Sequence, residues 1–303
     1  MSGFYNINGK KLYVYTGSGK GIPVLYIHGA PGIGVVDFVK YQGAVLGEKY
    51  DLIAPEQRGV WRSQALEEDE DFSIEAVVND YEELRKQLGV ECWGVVSHCM
   101  GARTALELYK KFPDSISFMI FENPVLDSVT PFREMIMLHL AVLKKADDPL
   151  YTQFSEEVKQ VHTPLALEEF CRRLERATGL EANNLIMSHT TLKKLSETKT
   201  SFDIDLFMRS RATEIKMSHC RELYGNADDL VSSVKVPILV IRGTEDITVP
   251  KKTITAIAVR AKQCEVKEFE TCRHWVHLDD EQGYFQAVDS FITNNMIYTK
   301  GMV

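Results

Sequence analysis

A series of short, continuously apolar segments, separated by helical segments, constrains the fold more than any other feature of this sequence. Such runs indicate strands that are buried on both faces. The segments are "IPVLYIHG" (22–29), "YDLIAPE" (50–56), "CWGVVSH" (92–98), "SFMIFENP" (117–124) and "VPILVIRG" (236–243). Because strands that alternate with helices form parallel sheets, we predict an α/β fold, with a mostly parallel central sheet and helices on both faces.

The elements around these segments are predicted from spacing and capping residues. Between the second and third segments, residues 73–89 carry apolar side chains three or four positions apart. Ser73 can cap the start of this helix and Gly89 its end. Residues 11–17 alternate with period two and predict an antiparallel strand, and the glycine-rich run 17–21 predicts a hairpin turn after it.

The strand pattern disappears in the middle of the chain and returns afterwards. From about residue 125 to residue 230 the sequence has helical spacing and many charges. We therefore predict two segments of one α/β core, 1–124 and 232–303, with a helical cap at 125–231 inserted between them.

Composition and charge argue against several classes of function. The 303 residues carry a formal net charge of -8, which argues against nucleic acid or an anionic membrane as a partner. We find no secretory-signal pattern, and the most apolar stretch, 135–143, is too short to span a bilayer. The six cysteines are therefore expected to be reduced thiols in a cytoplasmic protein. No cofactor is expected, because the sequence contains no metal cluster, P-loop or dinucleotide fingerprint.

The stretch "VVSHCMGART" (95–104) has the pattern of a turn that presents a nucleophile at the end of a strand. The usual pattern is small-x-Ser-x-Gly; here the small residues are Ser97 and Gly101, and the central residue is Cys99. A position at the start of a helix favours the thiolate form. We interpret Cys99 as a nucleophile; the alternative is a small buried residue in an ordinary strand-to-helix turn.

Oxyanion donors are expected from two backbone N–H groups. The loop "HGAPG" (28–32) directly follows a buried strand and can aim an N–H group at a developing oxyanion. The expected donors are the N–H groups of Ala30 and Met100. His28 is expected to be a structural histidine beneath the loop.

An acid and two histidines complete the candidate residues. Asp246 lies just past a strand end, where an acid can orient a histidine, and Glu245 is its local competitor. His274 and His277 follow in the loop before the last helix. The chain order is therefore nucleophile, acid, histidine, which is the order of the α/β-hydrolase scaffold.

These motifs together resemble the α/β hydrolases with a helical cap, and in particular the proline iminopeptidase-like branch. "HGAPG" resembles that branch's HGGPG, "EQRGVWRS" (56–63) its DQRGxGxS, "GTEDITVP" (243–250) its acid loop, and "RHWVHLDD" (273–280) its histidine loop. The resemblance implies a triad of Cys99, Asp246 and His274, because the family's histidine comes first in its loop; His277 is then a packing or supporting residue. The departures are Cys99 for serine, Arg273 for glycine, and changes within the 56–63 segment.

A thiol nucleophile leaves several interpretations open. The first is a hydrolase that cleaves a small-molecule ester, thioester, lactone or amide through an acyl-Cys99 intermediate. The second is an acyltransferase or cyclase, or a thioesterase of a biosynthetic pathway, on the same site. The third is a non-catalytic ligand-binding relative. A fourth is that Cys99 is an engineered replacement for a native serine, made to trap a substrate. The first interpretation gives a small-molecule acyl substrate as the expected partner.

Overall fold

The computed structural model describes residues 2–17, 19–30, 32, 34–198, 203–225 and 227–300. One eight-stranded sheet lies at its centre. The strands are β1 (Gly3–Ile7), β2 (Lys10–Thr16), β3 (Ile22–Ile27), β4 (Tyr50–Pro55), β5 (Trp93–His98), β6 (Ile116–Glu122), β7 (Ile238–Gly243) and β8 (Cys264–Phe269). Their spatial order is β1-β2-β4-β3-β5-β6-β7-β8. The pairs from β4 through β8 are parallel, while β1 and β2 pair antiparallel with their neighbours. The predicted fold class is confirmed.

The glycine-rich run 17–21 does not form the predicted hairpin turn. Its residue Ser18 lies outside the described residues. The run joins β2 to β3, but these two strands are not neighbours, because β4 lies between them and pairs with both. The prediction was wrong because turn residues show only that the chain changes direction. Which strand pairs with β2 depends on β4, a segment more than thirty residues further along the chain.

Helices cover both faces of the sheet and fill the segment between β6 and β7. The helices before that segment are α1 (Val36–Lys49), α2 (Ile74–Gln87) and α3 (Gly101–Lys111). Those within it are α4 (Thr130–Lys145), α5 (Leu150–Glu157), α6 (Pro164–Thr178), α7 (Ala182–Ile186), α8 (His189–Thr198), α9 (Ile204–Met217) and α10 (Asp228–Ser233). Those after it are α11 (Lys251–Arg260), α12 (Val276–Asp279) and α13 (Glu281–Lys300). As predicted, Ser73 caps α2: its side chain accepts a hydrogen bond from the Ala76 N–H at 3.2 Å.

The two faces of the sheet are buried in two separate apolar clusters. Successive strand residues point to opposite faces, so Val95 belongs to one cluster and Val96 to the other. Helices α2, α3 and α11 pack on the first face, and α1 and α13 on the second. This double coverage explains why β5 is apolar along most of its length, without polar alternation.

The segment between β6 and β7 has an apolar cluster of its own. It is built from α4, α5 and α6, with Phe154, Leu167 and Leu174 among its buried members. In the described part of this segment the only regular elements are helices. Helix α10 differs from the others, because its Leu230 and Val231 belong to the core cluster of the sheet. The division into a core and a cap at residues 125 and 231 stays a prediction.

Candidate active site

Cys99 lies in a strained turn between β5 and α3. Its φ of +55° is in the left-handed region, which a non-glycine residue adopts only when its surroundings enforce it. The turn is closely packed: a Cβ added to Gly101 would lie 2.3 Å from the Ile27 carbonyl oxygen, and one added to Gly29 would lie 2.7 Å from the Cys99 Cβ. The sequence therefore needs glycine at both positions to raise the thiol above the end of the sheet.

His274 lies between Cys99 and Asp246. Its Nδ1 is 2.7 Å from Asp246 Oδ2, and its side chain also interacts with the Cys99 thiol. Thr248 supports the carboxylate, because its N–H and its hydroxyl both donate to Asp246 Oδ1, at 2.8 and 2.7 Å. With Oδ1 occupied in this way, Oδ2 is directed at the imidazole.

The charges in this cluster reinforce one another. Burial lowers the pKa of His274, but the Asp246 carboxylate and the Cys99 thiol outweigh burial, so the pKa lies well above its ordinary value. Burial raises the pKa of Asp246, but the His274 charge and the hydrogen bonds from His274 and Thr248 lower it overall. The arrangement therefore favours the imidazolium form of His274 beside the Asp246 carboxylate. An imidazolium is the cationic partner that a thiolate requires.

The two competing residues named above lie elsewhere. Glu245 faces Arg273, with 3.4 Å between its Oε2 and the arginine Nε. His277 is buried beneath the site, where its Nδ1 is 2.9 Å from Glu122 Oε2 and its Nε2 is 3.6 Å from Asp37 Oδ2. Burial lowers the pKa of His277, but the two carboxylates raise it to about 10. His277 is therefore held as a cation by its own pair of acids.

The candidate oxyanion donors adjoin the nucleophile turn: Met100 follows Cys99 in the chain, and Ala30 follows Gly29, which packs against Cys99. Ala30 and Met100 both line the same cavity as the thiol. Within the described residues, neither N–H donates a backbone hydrogen bond. His28, in the same loop as Ala30, is buried and its Nε2 accepts a hydrogen bond from the Gln57 N–H at 3.1 Å, which fits the expected structural role. Pro31 of the predicted "HGAPG" loop lies outside the described residues.

A cavity of about 960 Å³ lies above Cys99, between the carboxyl ends of the strands and the helices of the middle segment. Ligands bind at this edge in open α/β sheets. Many of the lining side chains are apolar; those from α4, α7 and α9 include Phe132, Met135, Ile186, Leu206 and Phe207. The volume and the lining suit a small, largely apolar molecule.

Several residues that hold the site together were not predicted from the sequence. They are Thr248, His98, Glu122 and Asn123. His98 donates from Nε2 to the His274 carbonyl oxygen at 2.9 Å, and the Asn123 side chain donates to the same oxygen, also at 2.9 Å. The one signal for Glu122 and Asn123 was their position, as two polar residues at the end of an apolar strand, Glu122 closing β6 and Asn123 following it.

The cysteines are all unpaired, and Cys99 alone lies at the cavity within the described chain. Burial raises the pKa of Cys171 and Cys272 to about 12, and that of Cys220 and Cys264 to about 11. In the described residues no group of three or more histidine, cysteine or acidic side chains is arranged to hold a metal ion. The helices of that part of the chain include none long and apolar enough to cross a bilayer.

Comparison with known proteins agrees with this architecture. Residues 22–281 match the family described as the alpha/beta hydrolase fold. The chain belongs to the alpha/beta hydrolase fold family. A similar member is Epoxide hydrolase 1 of Caenorhabditis elegans, which is 23% identical over 286 residues, covering 92% of this chain and 67% of the nematode protein. A putative proline iminopeptidase of Mycoplasma genitalium is 31% identical over 119 residues, and the match covers 38% of each chain.

Solved structures extend the likeness over nearly the whole chain. The proline iminopeptidase of Mycobacterium smegmatis superposes with a TM-score of 0.75 at 14% identity, covering 99% of this hydrolase-family chain and 100% of the other. A proline iminopeptidase-related protein of Thermus thermophilus gives a TM-score of 0.71 at 21% identity, covering 96% of both chains. Identities this low establish the fold alone. With hydrolase names among its relatives, the chain fits an alpha/beta hydrolase-type enzyme.

Proposed function

We propose that this alpha/beta hydrolase cleaves a small-molecule ester, thioester, lactone or amide through an acyl-Cys99 intermediate. Cys99 is the nucleophile, His274 the general acid and base, and Asp246 the residue that orients the imidazole. The N–H groups of Ala30 and Met100 are the oxyanion donors. The helices of the middle segment form a cap over the acyl-binding cavity.

One observation carries this proposal. Cys99 sits in a strained strand-to-helix turn at the bottom of a cavity, against a histidine whose Nδ1 is 2.7 Å from a buried carboxylate. A nucleophile, a base and an orienting acid in contact are what acyl transfer requires. A binding protein would gain nothing from burying Asp246 and His274 together, since a buried ion pair contributes little to stability by itself.

The reaction follows from these positions. The Cys99 thiolate attacks the substrate carbonyl carbon, and the carbonyl oxygen becomes an oxyanion that accepts hydrogen bonds from Ala30 and Met100. The His274 imidazolium then gives its proton to the leaving group as the carbon–heteroatom bond breaks, which leaves a thioester. Neutral His274 next takes a proton from water, the resulting hydroxide attacks the thioester, and Cys99 departs as a thiolate with His274 again protonated.

The chemistry of sulfur favours acyl transfer over the epoxide opening that the nematode relative's name denotes. Attack of a thiolate on an epoxide carbon would form a carbon–sulfur single bond to Cys99. Water does not cleave such a thioether, so the enzyme would stop after one event. A thioester is cleaved readily, and Cys99 can therefore turn over on acyl substrates but not on epoxides.

The remaining parts of the proposal concern the size of the substrate and the cellular location of the protein. A largely apolar cavity of about 960 Å³ fits a small acyl substrate rather than a polypeptide or a nucleic acid. Six unpaired cysteines fit a reducing, cytoplasmic location.

Steady-state hydrolysis of p-nitrophenyl esters of increasing acyl length tests the proposal. The unmodified protein should release nitrophenol continuously, and Cys99→Ala should release none above the buffer rate. Cys99→Ser should keep part of the activity if water is the natural acceptor, and should lose most of it if the site is tuned for a thiolate and for transfer to another acceptor. Turnover by Cys99→Ala at the unmodified rate would contradict the assignment of the nucleophile.

A further inference from the structure

Asn123 lies where three parts of the candidate site meet. It follows β6, is fully buried, and has a φ of +40°. Its Nδ2 is 2.9 Å from the carbonyl oxygen of Arg273 and 2.9 Å from that of His274. Its Oδ1 accepts a hydrogen bond from the Gly243 N–H, at 3.0 Å, at the end of β7. One carboxamide thus joins the histidine loop to the strand that precedes Asp246.

The backbone around Asn123 is anchored independently of that carboxamide. Its own N–H donates to the Ile241 carbonyl oxygen at 2.8 Å. The carbonyl oxygen of the preceding residue, Glu122, accepts from the Cys99 N–H at 3.0 Å. The end of β6 is therefore fixed to both the nucleophile turn and β7, which makes it a rigid base from which a side chain can hold a loop.

The main chain of the histidine loop (273–280) must be fixed at His274 by hydrogen bonds from other parts of the protein. His274 lies outside the helices and strands, so no ladder of backbone hydrogen bonds fixes it. Its carbonyl oxygen accepts from His98 and from Asn123, and its N–H donates to the Ile186 carbonyl oxygen at 3.2 Å. Of the two side-chain donors, Asn123 is the one that also binds the strand leading to the acid loop.

We propose that Asn123 is a positioning residue that sets His274 at its working distance from both Cys99 and Asp246. The proposal rests on the proposed function, in which His274 serves Cys99. Asn123 touches no reacting atom; it acts by fixing the main chain of His274. Since displacements of about 1 Å at a reacting group can cost about 100-fold in rate, a loosened loop should reduce the reactivity of the thiol strongly.

Asn123→Asp is the sharpest perturbation, because it keeps the size of the side chain and tolerates the positive φ. The change replaces the NH₂, which donates to two carbonyl oxygens, by a carboxyl oxygen that donates one hydrogen bond when protonated and none when ionised. Gln42→Glu is a matched control. The Gln42 side chain is also buried, and its Nε2 donates to two carbonyl oxygens of the same region, those of His277 and Glu281, at 3.0 and 3.3 Å. Both variants therefore place a buried carboxyl group against two carbonyl oxygens, but only Asn123→Asp does so at the His274 main chain.

The measurement is the rate of iodoacetamide reaction at Cys99, followed by mass spectrometry of its peptide across a pH series, with the melting temperature as a parallel readout. Both variants should melt below the unmodified protein. Asn123→Asp should react about 10- to 100-fold more slowly at neutral pH, with the midpoint of its pH profile moved upward. Gln42→Glu should stay within about threefold of the unmodified rate. On a chromogenic ester, Asn123→Asp should lower kcat with little change in KM.

Equal alkylation rates and equal pH midpoints for the two variants would overturn the proposal, whatever their melting temperatures. If Asn123→Asp does not fold, Asn123→Gly serves in its place, because glycine keeps the positive φ and removes only the carboxamide. An Asn123→Gly protein with an unchanged alkylation profile would equally overturn it. Failure of the proposed function has a different signature: the unmodified protein would then turn over no acyl substrate, while the alkylation comparison would still be decided.

Discussion

Replacing Asp246 by asparagine should reduce the reactivity of Cys99 without removing any side-chain volume. The Asp246–His274 bond is a charge-assisted hydrogen bond of 2.7 Å, and both side chains are almost fully buried. Hydrogen bonds to charged groups contribute about 1.5–3 kcal/mol, and 1.36 kcal/mol corresponds to a tenfold change. The loss should therefore lower kcat/KM about 10- to 150-fold. Without the Asp246 charge the pKa of His274 should fall, because burial lowers it and Asp246 is one of the two groups that raise it, so the cationic partner of the thiolate should be weakened.

Glu245→Gln provides the control for this change, because it neutralises the adjacent carboxylate. The Glu245 side chain is 48% exposed and faces Arg273 rather than His274. The assay is ester hydrolysis together with iodoacetamide labelling of Cys99, both at neutral pH. Asp246→Asn should slow both reactions, and Glu245→Gln should leave both within about fivefold of the unmodified rates, since exposed pairs contribute about 0–1 kcal/mol. A slow Glu245→Gln and an unaffected Asp246→Asn would refute the assignment of the acid.

Three other expectations follow from the same structure. Iodoacetamide at neutral pH should label Cys99 before the other cysteines, four of which have pKa values raised by burial to about 11 or 12; equal labelling, read by peptide mass spectrometry, would contradict this. His277→Ala should lower the free energy of unfolding by about 3–5 kcal/mol, because it leaves Glu122 as an unpaired buried charge. The pKa of His277 is raised from 6.5 to about 10, so its contribution to stability is fully present below pH 6.5 and is lost as the pH rises towards 10. Urea titrations should therefore show the variant's deficit shrinking over that range, and a constant deficit would contradict the ion pairing. Gly101→Ala should destabilise the protein by about 1–3 kcal/mol, because the added Cβ meets a backbone carbonyl oxygen. Gly47→Ala, on α1 with nothing within 4 Å of the added Cβ, should stabilise it by about 0.5–1 kcal/mol. Changes of the same sign in thermal melts of the two variants would argue against the packing at the nucleophile turn.

The parts of the fold that the sequence predicted well are those that depend on local burial. A strand covered on both faces must be apolar along its length, and the parallel strands from β3 to β7 all show that pattern. The cap on α2 was equally local, because Ser73 bonds an N–H only three residues away. The hairpin prediction failed because the partner of β2 is not the next strand but β4.

In the candidate site, too, the sequence predicted the residues that lie in local motifs and missed those that depend on distant contacts. Cys99, Asp246 and His274 were singled out because each lies in a motif that is readable over a few residues. The supporting residues have no such motif. Asn123 is separated by 120 residues from Gly243 and by 151 from His274, and Glu122 by 155 from His277. The hydrogen bonds that fix the histidine loop therefore form only when the strands come together at the edge of the sheet, and no short segment of the sequence reveals them.

The mass of the Cys99 peptide after incubation with acyl substrates tests the central claim most directly. Brief exposure to ester, thioester and aminoacyl substrates, followed by acid quenching and peptide mass spectrometry, should reveal an added acyl mass on Cys99. The adduct should be absent in Cys99→Ala and should disappear with time in the unmodified protein as water cleaves the thioester. No adduct with any of these substrates, together with unchanged behaviour of Cys99→Ala, would contradict covalent catalysis and leave a ligand-binding member of the family.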